Sequence, residues 1–179
     1  MKKLDIHKFY HLINHGPCCL ITSGNKNIKN IAPIAWITPL NDDPPLVVVC
    51  VASTHYTSEL IEKYGEFVIN VPSYSLLNVV IMTGKTSGKE EDKFKKFNIL
   101  YEDGYKVNTV HLKNCVGFIE AKLFDVKEYS GVKLYVGEVV YCAVDENVYD
   151  KYLISHKAKT IHHIGGNNFF ISPEIIKIK

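Results

Sequence analysis

Two long alternating segments, Cys115 to Glu128 and Val132 to Val144, restrict the fold of this chain more than any other feature. Apolar and polar residues alternate along both, the period of a strand with one face buried. Only a short Ser-Gly connection separates them, so the two must pair as a hairpin. Strands this long bend, and a bent hairpin is an element that closes a barrel. Upstream, strand-like runs are interrupted by a few helices without steady strand-helix alternation, which favours an antiparallel barrel over a parallel sheet wound with helices. The expected fold class is mainly β: a β-barrel with a few helices, in a single domain over residues 1–179.

The remaining elements follow from local signals. Leu4, Phe9, Leu12 and Ile13 have helical spacing, so residues 5–14 read as a short amphipathic helix ending at Gly16-Pro17. Cys18 to Thr22 is a strand, Ser23 to Asn30 a turn, and Ile31 to Thr38 the return strand. Asn41-Asp42-Asp43-Pro44-Pro45 breaks the chain, and Leu46 to Val51, apolar on both faces, reads as a covered central strand. A helix over Thr57 to Tyr64 ends at Gly65, and Phe67 to Val71 is the next strand. Ser75 to Met82 supplies a helix that stops at Thr83-Gly84. Ser87-Gly88-Lys89-Glu90 has the form of a capping box and predicts a helix through Lys96.

Composition excludes several classes of function. The formal net charge is only +2, and lysines are spread along the chain, which argues against a nucleic-acid partner held by electrostatics. The densest cluster, Lys89, Lys93, Lys95 and Lys96, is interleaved with Glu90, Glu91 and Asp92 and reads as a solvated helix surface. Cys18, Cys19, Cys50, Cys115 and Cys142 are odd in number, lie in apolar runs and lack Cys-x-x-Cys spacing; they read as buried reduced thiols. The longest apolar run, Leu46 to Ala52, is too short to span a membrane, and no apolar leader follows Met1-Lys2-Lys3. A soluble, cytoplasmic protein is expected. His162 and His163 are adjacent on a strand and so face opposite ways, and His156 brings no partner with ligand spacing, so no metal site is assigned.

The chemistry concentrates between Asn30 and Pro72. There, a strand hands over to a helix through Ser53-Thr54-His55-Tyr56-Thr57. Three hydroxyls, an imidazole and the free N–H groups of a helix N-terminus together complement a phosphate dianion. A plain N-cap by Thr54 or Thr57 would explain one hydroxyl and leave the others without a role. No acid/base pair, nucleophile elbow or metal cluster accompanies them, so no catalytic residue is named and a phosphorylated cofactor with its own chemistry is expected. Ala35-Trp36-Ile37-Thr38, with the only tryptophan, stands at a strand end; core packing is one role for it. The other, favoured because Pro39 and then Pro44-Pro45 free the chain from continuing the ladder, is to present backbone groups to a flat heterocycle.

Five pieces in order carry a resemblance. They are Asn30-x-Ala-Pro-x-Ala-Trp-x-Thr-Pro39, Pro44-Pro-Leu-Val-Val-Val49, His55-x-Thr-x-x-x-Ile61, Gly65-Glu-Phe-Val-Ile-Asn-Val-Pro72, and Thr83-Gly84 with Ser87-Gly88-Lys89 and Asp92-Lys93-Phe94. With Val136-Gly137-Glu138-Val139 and His162-His163-Ile164-Gly165-Gly166, the sequence resembles the flavin reductase-like family over about residues 8–171. The resemblance implies an FMN-binding split barrel of Greek-key type, a homodimer, and non-covalently bound FMN. It implies phosphate contacts from the Ser53, Thr54, His55 and Thr57 cluster and from Ser87, Gly88 and Lys89, with Lys93 as the fallback cation. Ala35, Trp36, Ile37 and Thr38 would line the isoalloxazine and ribityl chain, with Asn30 a weaker contact and His163 near the flavin.

One departure bears on activity. Many family reductases carry Gly-Asp-His a few residues before Gly-Glu-Val, a histidine implicated in nicotinamide binding; here Ser130-Gly131-Val132 stands in its place. The expected function is an FMN-dependent oxidoreductase, either a flavoredoxin-like carrier fed by a redox partner protein or an NAD(P)H:flavin or ferric reductase. The valine favours the carrier. A split barrel that binds another phosphorylated ligand or a protein partner without redox chemistry is the alternative.

Overall fold

The protein is described over residues 1–172 from a computed structural model; the end of the expected 1–179 domain lies outside the described residues. A seven-stranded antiparallel sheet dominates. Its strands are β1 (Cys19–Gly24), β2 (Lys29–Ile34), β3 (Ile37–Asp42), β4 (Pro45–Ala52), β5 (Glu66–Val71), β8 (Gly117–Tyr129) and β9 (Val132–Val144), in spatial order β2-β1-β5-β8-β9-β4-β3. Two small hairpins flank it, β6 (Tyr101–Asp103) with β7 (Val110–Leu112) and β10 (Ile161–Gly165) with β11 (Asn168–Ile171). The helices are α1 (Tyr56–Tyr64), α2 (Leu77–Gly84), α3 (Lys93–Lys96) and α4 (Ser155–Ala158). No helix among the described residues is long and apolar enough to cross a membrane.

The topology forces closure. β2 and β3 are the opposite edges of the sheet, yet only Ala35 and Trp36 separate them in sequence. Three Cα steps span no more than about 11 Å, so the sheet must curl until its edges meet. The Trp36 carbonyl accepts the N–H of Cys50 at 2.9 Å, tying the link to β4. The edges stay unpaired to each other, and the barrel is therefore split along this seam.

The long hairpin is as the alternation requires. β8 and β9 pair with Tyr129 opposite Val132, and the turn between them holds Ser130 at φ 48° and Gly131 at φ 86°. Two consecutive positive φ values define the turn that matches strand twist, and glycine takes the second without strain. Register shifts after Glu120 and after Leu123 bend the pair around the barrel.

β1 is buried on both faces and divides two cores. Cys19 and Ile21 point into the barrel with Val49, Ile61, Phe67, Ile69 and Tyr135. Leu20 joins Ile31, Val80, Phe94, Val110, Leu112 and Ile161 in an outer layer that seats α2, α3 and the small hairpins on the sheet. Burial of each such side chain stabilises by ~1.5–3 kcal/mol.

Several local expectations need correction. The return strand expected over Ile31 to Thr38 is two strands that part at Ala35-Trp36. Pro39, expected to end the ladder, lies inside β3 opposite Val47. An edge strand has a free side, where a missing N–H costs nothing; Pro33 occupies the other edge, β2. The N-terminal segment is a 3-10 helix over Ile6–Leu12 with no buried residue, capped by Asp5, which accepts the His7 N–H. The helix expected from Ser87 begins only at Lys93. Asp92 caps it by accepting from Phe94 and Lys95 N–H, and Ser87 Oγ accepts the Lys89 N–H within a turn. Cys18 and Cys19 are buried as expected, but Cys142 is exposed on β9; all five thiols are free.

Candidate functional site

A groove in three contiguous sections follows β2 and the link to β3. Its first section, about 380 Å³, lies between the start of α1, β2 and the loop after α2. α1 begins without side-chain help: His55 is the N-cap residue but makes no capping bond, and Ser58 N–H reaches the His55 carbonyl at 3.0 Å. Neither Thr54 nor Thr57 caps the helix, so capping does not use up their hydroxyls. Thr54 and His55 are exposed on the cleft wall.

The floor is polar and dry. Thr57 is 1% exposed and its Oγ1 accepts from Asn30 Nδ2 at 2.9 Å; Asn30 is itself 2% exposed. Asn30 Oδ1 has no partner among the described residues, an acceptor left over in a buried position. Gly88 passes directly over it: a Cβ on Gly88 would fall 2.1 Å from Oδ1, so only glycine allows this approach. Lys93 completes the floor, its Nζ donating to Ile31 O at 2.7 Å and Thr83 O at 2.8 Å. It is therefore a buried lysine, in place of the solvated one expected. Burial pushes its ammonium down to about 8.

At the rim, Lys89 Nζ sits 2.9 Å from the Glu59 carboxylate, both groups about half exposed. Lys85 lines the first section and also the second. The second section, about 290 Å³, shares Pro33, Gly84 and Lys85 with the first and adds Val80, Ile81, Phe169 and His163. His163 Nε2 lies 2.9 Å from Gly166 O, and its ring leans on Phe169. Cys18 borders this section, but burial pushes its thiol up to about 11, which removes it as a nucleophile. The third section, about 290 Å³, continues from Ala35 to Trp36 and Ile37 and is walled by Phe9, Tyr10 and Ile13. Trp36 is 47% exposed and meets Tyr10 edge-on at 6.0 Å.

The structure thus gathers Asn30, Thr54, His55, Thr57, Ser87, Gly88 and Lys89 around one cleft, with Ala35, Trp36 and Ile37 at the far end of the same groove. Two expected residues stand apart. Ser53 Oγ donates to Gly131 O at 3.1 Å, bracing the β8–β9 turn, and Thr38 Oγ1 donates to Pro39 O on the exposed edge strand. Val132 is on β9 opposite Ala52, beside that brace and outside the groove. Sequence reasoning missed Lys85 and Thr86. The signal was present: Thr83-Gly84-Lys85-Thr86-Ser87-Gly88-Lys89 is one hydroxyl- and lysine-bearing run, which the capping-box reading cut in half. Chemically the groove pairs a cationic, donor-rich end with an apolar aromatic end. No group of three or more His, Cys, Asp or Glu able to hold a metal occurs among the described residues.

Comparison with known proteins agrees with this architecture. The fold superposes on flavoredoxin of Desulfovibrio vulgaris (Miyazaki F) with a TM-score of 0.87 at 23% identity, covering 99% of this chain and 97% of that one. An FMN-binding protein from Thermus thermophilus gives 0.85 at 22% identity, covering 100% and 98%. At these identities the likeness establishes the fold, the split barrel. In sequence, the chain is 33% identical over 180 residues to YddH of Escherichia coli strain K12, a protein without an assigned function, covering 94% of this chain and 93% of that one. Residues 13–162 match the model of the flavin reductase like domain, and the chain belongs to the flavin reductase-like family.

Proposed function

We propose that the protein is a flavin-dependent oxidoreductase that binds FMN non-covalently along the groove. The observation that carries this is the polarity of the groove itself. It is rich in hydroxyls, lysines and a helix N-terminus at one end and apolar and aromatic at the other, which is the order of phosphate, polyol and flat ring in FMN. The orphan Asn30 Oδ1 fits the same ligand, because a buried acceptor calls for a hydroxyl donor such as the ribityl chain offers. The Thermus thermophilus FMN-binding protein, with the same fold, supports the choice of ligand.

In this reading Thr54, His55, Thr57 and the Lys85–Lys89 loop hold the phosphate by charge-assisted hydrogen bonds. Ala35, Trp36 and Ile37 orient the ring, with His163 along the middle section. Ser53 and Thr38 drop out, since their hydroxyls serve the barrel end and the edge strand. Bound FMN would supply the electron-transfer chemistry; the side chains bind, orient and exclude water. Val132, where the resemblance to the family's reductases implies a histidine, favours electron delivery by a protein donor over direct NAD(P)H oxidation. The reading includes a homodimer, favoured by the exposed Phe124, Val126 and Tyr129 of β8, and a cytoplasmic location, favoured by five free thiols.

An anaerobic visible spectrum of the purified protein, titrated with FMN and then with NADH or dithionite, tests the proposal. A bound-flavin spectrum bleached by dithionite but slowly by NADH supports the carrier. Rapid bleaching by NADH makes the protein a reductase, and Val132→His should raise that rate if the missing imidazole limits it. Failure to bind FMN leaves the non-redox alternative in its place.

A further inference from the structure

We infer that Lys93 is the specificity-determining cation of the cleft: it distinguishes a ligand ending in a phosphate dianion from one ending in a neutral hydroxyl, and it takes up a proton when the dianion binds under alkaline conditions. This rests on the reading of the groove as an FMN site and adds the residue and the linkage that select the phosphate.

The argument begins with donor bookkeeping. An ammonium has three N–H donors and a neutral amine two. Lys93 Nζ spends two donors on Ile31 O, in β2, and Thr83 O, in the last turn of α2. The fourth tetrahedral position around Nζ has no acceptor among the described residues, and Lys93 forms part of the cleft lining although only 5% of it is exposed. That position holds either a lone pair or a third N–H. A neutral hydroxyl can be satisfied by either, donating to the lone pair or accepting from the N–H. A phosphate dianion can only accept, so it needs the third N–H and therefore the ammonium.

Charge points the same way. No carboxylate among the described residues pairs with Lys93. Glu59 is engaged with Lys89, and Asp92 accepts from Phe94 and Lys95 N–H at the cap of α3. An ammonium buried without a counter-charge is costly, and its affinity for the proton falls accordingly, to about 8. A phosphate at the fourth position supplies the missing counter-charge and restores that affinity. Above pH 8, binding thus converts Lys93 from amine to ammonium at the expense of one proton from solvent.

The other titratable or charged groups that line the cleft with Lys93 are His55, Tyr56, Lys85 and Lys89, the last paired with Glu59; α2 adds none, α3 and its cap add Asp92, Lys95 and Lys96, and β2 adds Lys29. Lys29 is turned to the rings of Phe94 and Tyr101. All of them are retained in Lys93→Met, so their contributions cancel when the variant is compared with the parent.

The experiment measures the dissociation constants of FMN and riboflavin from pH 6.5 to 9.5 by flavin fluorescence, in the parent and in Lys93→Met. In the parent, FMN affinity should fall by about tenfold per pH unit above pH 8, while riboflavin affinity does not change. In Lys93→Met the alkaline decline should vanish, and at pH 7 FMN should lose at least tenfold more affinity than riboflavin does. Calorimetry of the parent at pH 8.5, in buffers of different ionisation enthalpy, reads the proton directly and does not depend on the variant folding; an uptake approaching one proton is expected. An FMN profile unchanged in Lys93→Met, or no proton uptake, overturns the inference while leaving the FMN site standing. No binding of FMN by the parent at pH 7 overturns both.

Discussion

The barrel interior and the floor of the groove are both buried and obey opposite rules. Inside, Cys19, Ile21, Val49, Phe67 and Ile69 present only apolar surface or a thiol, and the phenol of Tyr135 reaches the Glu62 carboxylate at 2.6 Å at the barrel end. Outside, over β2, the equally buried Asn30, Thr57, Thr83 and Lys93 are polar, and two of them retain unused hydrogen-bonding capacity. The difference teaches where each region's free energy goes. The interior spends its contacts on the fold, whereas the floor withholds an acceptor and a donor that only an incoming molecule can satisfy.

The first way to break this contrast is Phe67→Ala. Deleting a fully buried ring should cost ~3–5 kcal/mol of stability by denaturant titration, with FMN affinity of the folded protein unchanged within twofold. A large loss of affinity would mean the two regions are not separable.

Alkaline pH should pull them in opposite directions. Cys19, inside the barrel, has its thiol pushed up to about 12 by burial. A raised acid gives stability that is present below its unfolded value, near 8.5, and drains away as pH climbs towards 12. Lys93 is depressed to about 8; in the ligand-free protein its contribution is regained as pH rises from 8 to 10.5. Between pH 9 and 11, Cys19→Ala should lose less stability than the parent by ~3 kcal/mol. Lys93→Met should lose more, by ~2 kcal/mol. Parallel curves for all three would refute both assignments.

The barrel's long hairpin was legible because period-two alternation and a Ser-Gly turn are local signals that nothing tertiary contradicted. The helix ending at Gly65 was legible for the same reason: Gly65 N–H closes on Ile61 O at 2.8 Å. The split at Ala35-Trp36 was hidden because prolines mark a break only in a strand with two neighbours, and edge status is a property of the whole sheet. The burial of Lys93 was hidden because its charged neighbours describe a solvated helix, while the carbonyls that capture it come from Ile31 and Thr83. In the candidate site the hydroxyl cluster was readable, but Ser53 was not separable from it, since its partner Gly131 is remote in sequence.

Smaller effects sharpen the map of the floor. Thr57→Ala removes the acceptor that steadies Asn30 Nδ2 and should weaken FMN binding about tenfold, the cost of one buried hydrogen bond. Unaltered affinity would place the ligand elsewhere. Glu59→Gln, which frees Lys89 at the rim, should tighten FMN only about twofold and steepen its salt dependence, as half-exposed ion pairs contribute little. A change of tenfold or more would show that the rim, and not the floor, controls binding.

The link that closes the barrel also gives the protein an optical reporter. Its only tryptophan is one of the two residues spanning the seam, half open to the third section of the groove and edge-on to Tyr10. Every photon of tryptophan emission therefore originates at one known point, between the sheet's two edges. A chromophore entering that section would quench the emission, and a loosening of the seam would shift its colour without quenching it. The same residue that fastens the fold thus lets occupancy and barrel breathing be recorded as two separate signals in one spectrum.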